Sequence, residues 1–111
     1  MKTYTETIKI PHRQLDFWNK CLCDKGFFKA QGFGDKEAAV FWTTTFPDGM
    51  FADVKVCPNS EDIWCECVLF DENGGQVAFS EPCFEDVLQG HWEFTTGDAN
   101  YIVVVEEGEE G

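Results

Sequence analysis

Four turn signals divide the chain beyond residue 38 into short segments, and this spacing constrains the fold more than any other feature. The segments between the turns are rich in β-branched and aromatic residues and are too short for stable helices, so they predict consecutive antiparallel strands. Asn73-Gly74 predicts a hairpin through a type I′ turn. The turn signals are Pro47-Asp48-Gly49, Pro58–Glu61, Asn73-Gly74 and Gly97-Asp98-Ala99-Asn100, and the predicted strands are Ala38–Phe46, Met50–Cys57, Asp62–Phe70, Gln76–Ser80, His91–Thr95 and Tyr101–Glu106.

The N-terminal part reads as a strand followed by a helix. Threonine alternates with other residues in Lys2–Ile10, which favours a strand at a sheet edge. Pro11 suits the first turn of a helix, and Gly26 suits its end. A helix over residues 11–25 places its apolar residues on one stripe. The main members of that stripe are Leu15, Trp18 and Leu22.

Together these elements predict an α+β fold: a single domain with a meandering, mostly antiparallel β-sheet and one main N-terminal amphipathic helix packed on it. We expect the globular domain to span residues 1–105 and residues 106–111 to form a flexible acidic tail. Phe27–Lys36 is expected to be a loop, and Phe84–Leu88 a short helical turn. A turn at Pro58–Glu61 that pairs Cys57 with Asp62 would bury one apolar face of the resulting hairpin.

On the two faces of that predicted hairpin the residues differ sharply. The buried face would pair Val54 with Cys65, and Ala52 with Cys67. The opposite face is mixed aromatic and acidic, and Asp53 would stand across from Glu66, a like-charge pair that costs stability. A cationic partner could relieve this repulsion.

Charge is divided unequally along the chain. All eight Lys and Arg residues lie in the first 55 positions together with seven acids, whereas Val56 to Gly111 holds fourteen acids and no base. The formal net charge of −13 would repel nucleic acid phosphates, so direct nucleic-acid binding is not expected. Such a field instead attracts a cationic protein surface and accelerates its capture.

The six cysteines first suggest a metal site, but their spacing does not support one. Cys21 and Cys23 would lie on different sides of a helix, and Cys65 and Cys67 would stand about 6.6 Å apart along a strand, which is wide for one zinc ion. A metal would need further ligands from Cys57, Cys83 or His91. We therefore expect buried free thiols, with Cys65 and Cys67 free of metal.

Other catalytic patterns are equally weak. Asp71-Glu72-Asn73-Gly74-Gly75 begins like a calcium loop, but Gln76 and Pro82 stand where such a loop has its glycine and its glutamate. His12 or His91 could pair with Cys23 or Cys83, yet nothing nearby specifies such a pair. We expect no enzymatic activity, no cofactor and no metal.

The sequence therefore favours an acidic protein-binding module. The sharper hypothesis is a stoichiometric inhibitor or immunity-type protein that occupies a basic groove of a nucleic-acid-processing protein by charge mimicry. In charge and size the chain resembles small acidic inhibitors such as anti-restriction and anti-CRISPR proteins. The alternative is a small-ligand-binding or structural α+β domain.

The expected partner is a basic protein, and the expected location is the cytoplasm, because no signal-peptide pattern and no membrane span is evident. The predicted contact residues are acidic with two aromatic additions: Asp53, Glu61, Asp62, Glu66, Asp71, Glu72, Glu81, Glu85, Asp86 and Glu93, with Phe51 and Trp64.

Overall fold

The computed structural model describes residues 2–31, 40–58, 63–89 and 91–108. This part of the chain forms seven strands and three helices, and the predicted α+β class is confirmed. No helix in it is long and apolar enough to cross a membrane. The elements are β1 (Lys2–Pro11), α1 (His12–Cys23), α2 (Lys25–Ala30), β2 (Val40–Thr45), β3 (Phe51–Pro58), β4 (Ile63–Phe70), β5 (Gln76–Ser80), α3 (Phe84–Gln89), β6 (His91–Thr95) and β7 (Ala99–Gly108).

The strands form two sheets. The first is an antiparallel meander in the order β2-β3-β4-β5, which follows from short turns between consecutive strands. The second has the order β1-β7-β6, with β1 at its edge as predicted. In this sheet β7 pairs antiparallel with β6 but parallel with β1, from Lys2 opposite Ala99 to Pro11 opposite Gly108. The first and last strands of the chain are thus neighbours.

A single core lies between these elements and takes its side chains from both sheets and all three helices. Trp18 of α1 meets the Phe84 ring of α3 edge-to-face, with ring centroids 5.5 Å apart. Trp42 of β2 stacks on the other side of this cluster, 6.4 Å from Phe84. The indole N–H of Trp42 donates to the Gln14 side-chain oxygen at 2.9 Å, so α1 is joined to β2 by a polar contact as well as by packing.

The predicted N-terminal helix is shorter than expected. It runs from His12 to Cys23, and a new helix, α2, starts at Lys25, because the Asp24 carboxylate accepts the backbone N–H of Gly26 at 2.9 Å and caps it. Gly26 therefore lies inside α2 instead of ending α1. The loop prediction for Phe27–Lys36 is wrong up to Ala30, since α2 buries Phe28 in the core, and residues 32–36 lie outside the described residues.

The two hairpin turns of the first sheet that lie in the described residues share one geometry, and the predicted type I′ turn is wrong. Gly74 N–H donates to Asp71 O and has φ +87°, whereas Asn73 does not have a positive φ. This is a three-residue loop, in which a type I turn precedes a left-handed glycine. The turn before β3 repeats it, with Gly49 N–H donating to Phe46 O at 3.0 Å and Gly49 at φ +93°.

The β3–β4 register differs by two residues from the prediction. Val54 pairs with Cys67, and Val56 pairs with Cys65. The side chains alternate with period two, so this shift leaves every residue on its predicted face. It does change the polar pairs: Lys55 now stands opposite Glu66, and the predicted repulsion between Asp53 and Glu66 is absent. The predicted turn residues 59–61 lie outside the described residues.

The last strand extends further than the sequence indicated. β7 continues through Glu106 and Glu107 to Gly108, and these residues pair with Lys9–Pro11 of β1. They belong to the sheet instead of to a tail, while residues 109–111 lie outside the described residues. At this end His12 contacts the Glu107 carboxylate and lies 3.3 Å from Asp16 Oδ2, so the start of α1 is held against the end of β7.

Candidate protein-binding surface

The first sheet has an outer face that points away from the core. Strand alternation and the observed register place on this face Phe41, Thr43 and Thr45 of β2, Phe51, Asp53 and Lys55 of β3, Trp64, Glu66, Val68 and Phe70 of β4, and Phe79 of β5. The interleaved residues of the same strands, such as Val54 and Cys67, are fully buried. One side of the sheet is therefore core, and the other carries the exposed side chains, although Val68 and Cys57 on this outer face are buried.

This outer face carries exposed aromatic side chains. Phe41 is 57% exposed, Phe79 is 49% exposed and Trp64 is 40% exposed. Phe51 stacks on Phe70 with ring centroids 5.0 Å apart, which orders the end of the face near the turns. Exposed large apolar side chains that share one face of a small protein typically mark an interaction site, whereas single exposed apolar residues are normal on any protein surface.

Carboxylates lie among these aromatic residues. The Asp53 carboxylate accepts a 2.7 Å hydrogen bond from the Thr43 hydroxyl across the β2–β3 pair, which fixes its position. Glu66 stands directly opposite Lys55. The Lys55 ammonium lies 5.9 Å from the centroid of the Phe41 ring, so the positive charge of this side chain is held over β2. On the outer face, β4 contributes a single carboxylate, that of Glu66.

The predicted contact residues do not all lie on this face. Four of them lie on the outer face: Asp53, Glu66, Phe51 and Trp64. Glu93 lies on the second sheet, where it alternates with buried Trp92 and Phe94. Of the others, Glu61 and Asp62 are outside the described residues, and the rest lie outside the strands of the first sheet. Asp71 and Glu72 are in the β4–β5 turn, and Glu81, Glu85 and Asp86 are exposed at or before the start of α3.

Sequence reasoning missed Phe41 and Phe79. Each alternates with a core residue on its own strand, Phe41 with Trp42 and Phe79 with Ala78, and this alternation was the available signal. Val77 adds a further exposed apolar side chain. It is an extra residue, because Leu69 pairs with Ala78 while Phe70 pairs with Gln76.

A cleft opens at the other end of the sheet, where β4 begins. We call it the Trp64 cleft. Its volume is about 530 Å³. Its walls combine apolar side chains with two exposed glutamates and one exposed thiol. The lining residues are Leu22, Ile63, Trp64, Cys65, Glu81, Pro82, Cys83, Phe84 and Glu85. Trp64 therefore belongs both to the cleft and to the outer face.

The cysteines on the inner face are core residues, as predicted. Cys65 and Cys67 are buried, and the Cys65 thiol donates to the carbonyl oxygen of Pro82 at 3.0 Å. A hydrogen bond with Cys65, reinforced by burial, raises the pKa of the Cys67 thiol far above its usual range, and burial also raises the pKa of Cys21. The raised pKa values keep the thiols of Cys67 and Cys21 protonated and unreactive at neutral pH.

Within the described ranges, no three His, Cys, Asp or Glu side chains are grouped so that they could hold a metal ion. In the turn that resembles a calcium loop, the first carboxylate, that of Asp71, already accepts hydrogen bonds from the backbone. Asp71 Oδ1 accepts the backbone N–H groups of Asn73 and Gly75, each at 2.9 Å. This carboxylate therefore shapes the turn.

A polar contact joins the β2–β3 turn to the second sheet. The Tyr101 hydroxyl donates to Asp48 Oδ2 at 2.7 Å, and the ring stacks on Tyr4 with centroids 5.5 Å apart. The other oxygen of Asp48 accepts the Met50 backbone N–H at 3.1 Å. Burial, and then the bond to Asp48, raises the pKa of Tyr101 to about 12.

This contact predicts a stability change in alkali. In the unfolded chain a tyrosine titrates near pH 10, whereas folded Tyr101 holds its proton to about pH 12. The contribution of Tyr101 to the free energy of unfolding is thus complete below pH 10. It falls by about 1–2 kcal/mol as the pH rises toward 12. Urea unfolding at several alkaline pH values should show this extra loss in the wild type and a smaller loss in Tyr101→Phe. Equal slopes for the two proteins would contradict the assignment.

Comparison of the chain with protein-family models, curated proteins and solved structures finds no match.

Proposed function

We propose that this protein is an acidic protein-binding module that uses the outer face of its first sheet to bind a basic partner protein. The observation that supports this is that three exposed aromatic side chains, Phe41, Trp64 and Phe79, lie on the same sheet face as the carboxylates of Asp53 and Glu66. Aromatic residues are enriched at binding hot spots, and complementary charge accelerates association and selects the partner.

Charge argues for a different protein as the occupant and against a second copy of this chain. A two-fold dimer through the outer face would bring the same patch of each copy together, so the Asp53 and Glu66 carboxylates of both copies would lie in one interface. Each copy also carries a formal charge of −13, which opposes self-association at moderate salt. A cationic partner gains from both features.

The partner class that fits is a nucleic-acid-processing protein with a basic groove, which this chain would occupy stoichiometrically as an inhibitor. Such grooves are built to hold phosphate charge. The aromatic residues refine the charge-mimicry hypothesis, because burying them contributes an apolar term that salt does not screen. We therefore expect binding that weakens with salt but persists at high salt, unlike a purely electrostatic complex.

The proposal is tested by capturing partners from host lysate with the wild-type protein and then measuring affinities with the purified partner. The double variant Phe41→Ser/Phe79→Ser removes the apolar side chains at both edges of the outer face and should weaken binding about tenfold or more. Glu66→Gln should weaken it less, and the matched variant Glu93→Gln on the second sheet should not change it.

Raising NaCl from about 50 mM to about 300 mM should weaken the wild-type complex several-fold without abolishing it. Unchanged affinity of the double variant for the captured partner would refute the proposal. So would sedimentation showing that the wild type is a dimer and the double variant a monomer, since a second copy would then cover the face.

A further inference from the structure

The Trp64 cleft combines three features that suit one kind of ligand. Its volume of about 530 Å³ lies within the range of small-ligand sites. Trp64, 40% exposed, offers an accessible aromatic face, while Leu22, Pro82 and buried Phe84 contribute apolar surface. Exposed Glu81 and Glu85 supply negative charge. An apolar small molecule would use the walls but would gain nothing from two carboxylates.

Among the described residues, the lining of the cleft offers no basic counterpart to its carboxylates. The described residues that line it include no Lys, Arg or His. Glu85 accepts a long hydrogen bond of 3.4 Å from Gln89 at one oxygen, a contact that a stronger donor would displace. A cation that entered the cleft would therefore meet carboxylates that no base among the described lining residues neutralises.

A guanidinium group fits these features better than an ammonium group. It is planar, so it can stack on an indole while its N–H fork bonds a carboxylate with two parallel hydrogen bonds. It is also more weakly hydrated than an ammonium group and loses less on entering a partly apolar cleft. Lysine could satisfy the charge but would offer no flat surface to Trp64.

We infer that the Trp64 cleft binds an arginine side chain. This inference rests on the proposed function, because the arginine would come from the basic partner. Trp64 lies on both surfaces, so a partner seated on the outer face could extend an arginine past β4 into the cleft. The cleft would then fix the register of the partner, while the aromatic residues of the outer face supply apolar contact.

The probe for this inference is the short peptide Ac-Gly-Arg-Gly-NH2, compared with its lysine and citrulline counterparts. Citrulline has nearly the shape of arginine but no charge. Titration followed by ¹H–¹⁵N NMR should shift the Trp64 indole resonance and those of residues 81–85, with a dissociation constant in the millimolar range. The lysine peptide should bind several-fold more weakly, and the citrulline peptide should cause no saturable shift.

Two cysteines give an independent readout. Cys83 lines the cleft and is exposed, whereas exposed Cys23 is not among the residues that line it. The arginine peptide should slow iodoacetamide alkylation of Cys83 and leave the rate at Cys23 unchanged, as measured by peptide mass spectrometry. Protection of neither cysteine, or of both equally, would overturn the inference.

Variants complete the test. Glu81→Gln/Glu85→Gln should weaken binding of the arginine peptide at least fivefold, while Glu93→Gln should leave it unchanged. Equal binding of the citrulline peptide would overturn the inference. If the arginine peptide fails to bind but Phe41→Ser/Phe79→Ser still weakens partner binding about tenfold or more, the inference alone fails. If the peptide binds the cleft but the partner ignores the outer face, the proposed function alone fails.

Discussion

Replacing Phe46 with alanine is expected to lower the free energy of unfolding by about 3–5 kcal/mol, the cost of deleting a buried aromatic ring and leaving a cavity. Phe46 is buried and meets the Tyr101 ring edge-to-face at a centroid distance of 5.0 Å. It lies directly after β2, so the ring joins the first sheet to the second. A domain with a typical stability of about 5–15 kcal/mol would lose much of its margin. Urea unfolding followed by circular dichroism measures the loss.

Phe79→Ala is the matched control, because it deletes the same ring from the outer face. Phe79 is 49% exposed, so its removal should change the free energy of unfolding by less than about 1 kcal/mol. Phe46→Leu, which keeps most of the apolar volume, should fall between the two and shows the trend even if Phe46→Ala does not fold. A loss of several kcal/mol for Phe79→Ala would mean that its ring supports the core.

The strand faces were predictable because alternation in a single strand determines them. Ala52, Val54 and Val56 are buried as predicted, even though the β3–β4 register was predicted two residues out of place. Register depends on where the turn begins, and Pro58 was assigned to the turn although β3 continues through it. A shift by an even number of residues conserves the faces but changes every cross-strand pair, which is why Lys55 and not Asp53 stands opposite Glu66.

The parts that sequence reasoning missed depend on contacts between distant segments or on competing local signals. Nothing within β1 or β7 specifies that they pair in parallel, since the partners are separated by nearly the whole chain. Gly26 alone predicts a helix end, but the Asp24 carboxylate, two residues before it, caps a new helix. Asn73-Gly74 suggested a two-residue loop, whereas Asp71, by accepting two backbone N–H groups, favours a three-residue loop.

The candidate surface was partly predictable, because alternation within a single strand determines which residues share a face. Alternation in β3 and β4 indicated a mixed aromatic and acidic face that included Phe51, Asp53, Trp64 and Glu66. The flanking rings of Phe41 and Phe79 belong to the same face only because β2 and β5 pair on either side. Charge partition along the sequence could not show how acids are distributed in space. Glu93, for example, lies on the second sheet.

Trp64→Ala is expected to weaken binding of the basic partner about 30-fold or more, which corresponds to a loss of about 2 kcal/mol at a binding hot spot. The effect should exceed that of any other single outer-face substitution, because Trp64 contributes both to that face and to the cleft proposed to hold an arginine. Trp64→Phe should lose less, since a smaller aromatic face remains. Isothermal titration calorimetry with the purified partner measures each dissociation constant.

Stability measurements separate a binding effect from a folding effect. Trp64 is 40% exposed and lies opposite Cys57 at the end of the β3–β4 pair, so truncation should change the free energy of unfolding by no more than about 1 kcal/mol. Thr95→Ala on the second sheet should change neither stability nor affinity appreciably. A Trp64→Ala dissociation constant within about threefold of the wild type would show that the partner does not use the junction between face and cleft. In that case the Phe41 and Phe79 edges would have to carry the interface without it.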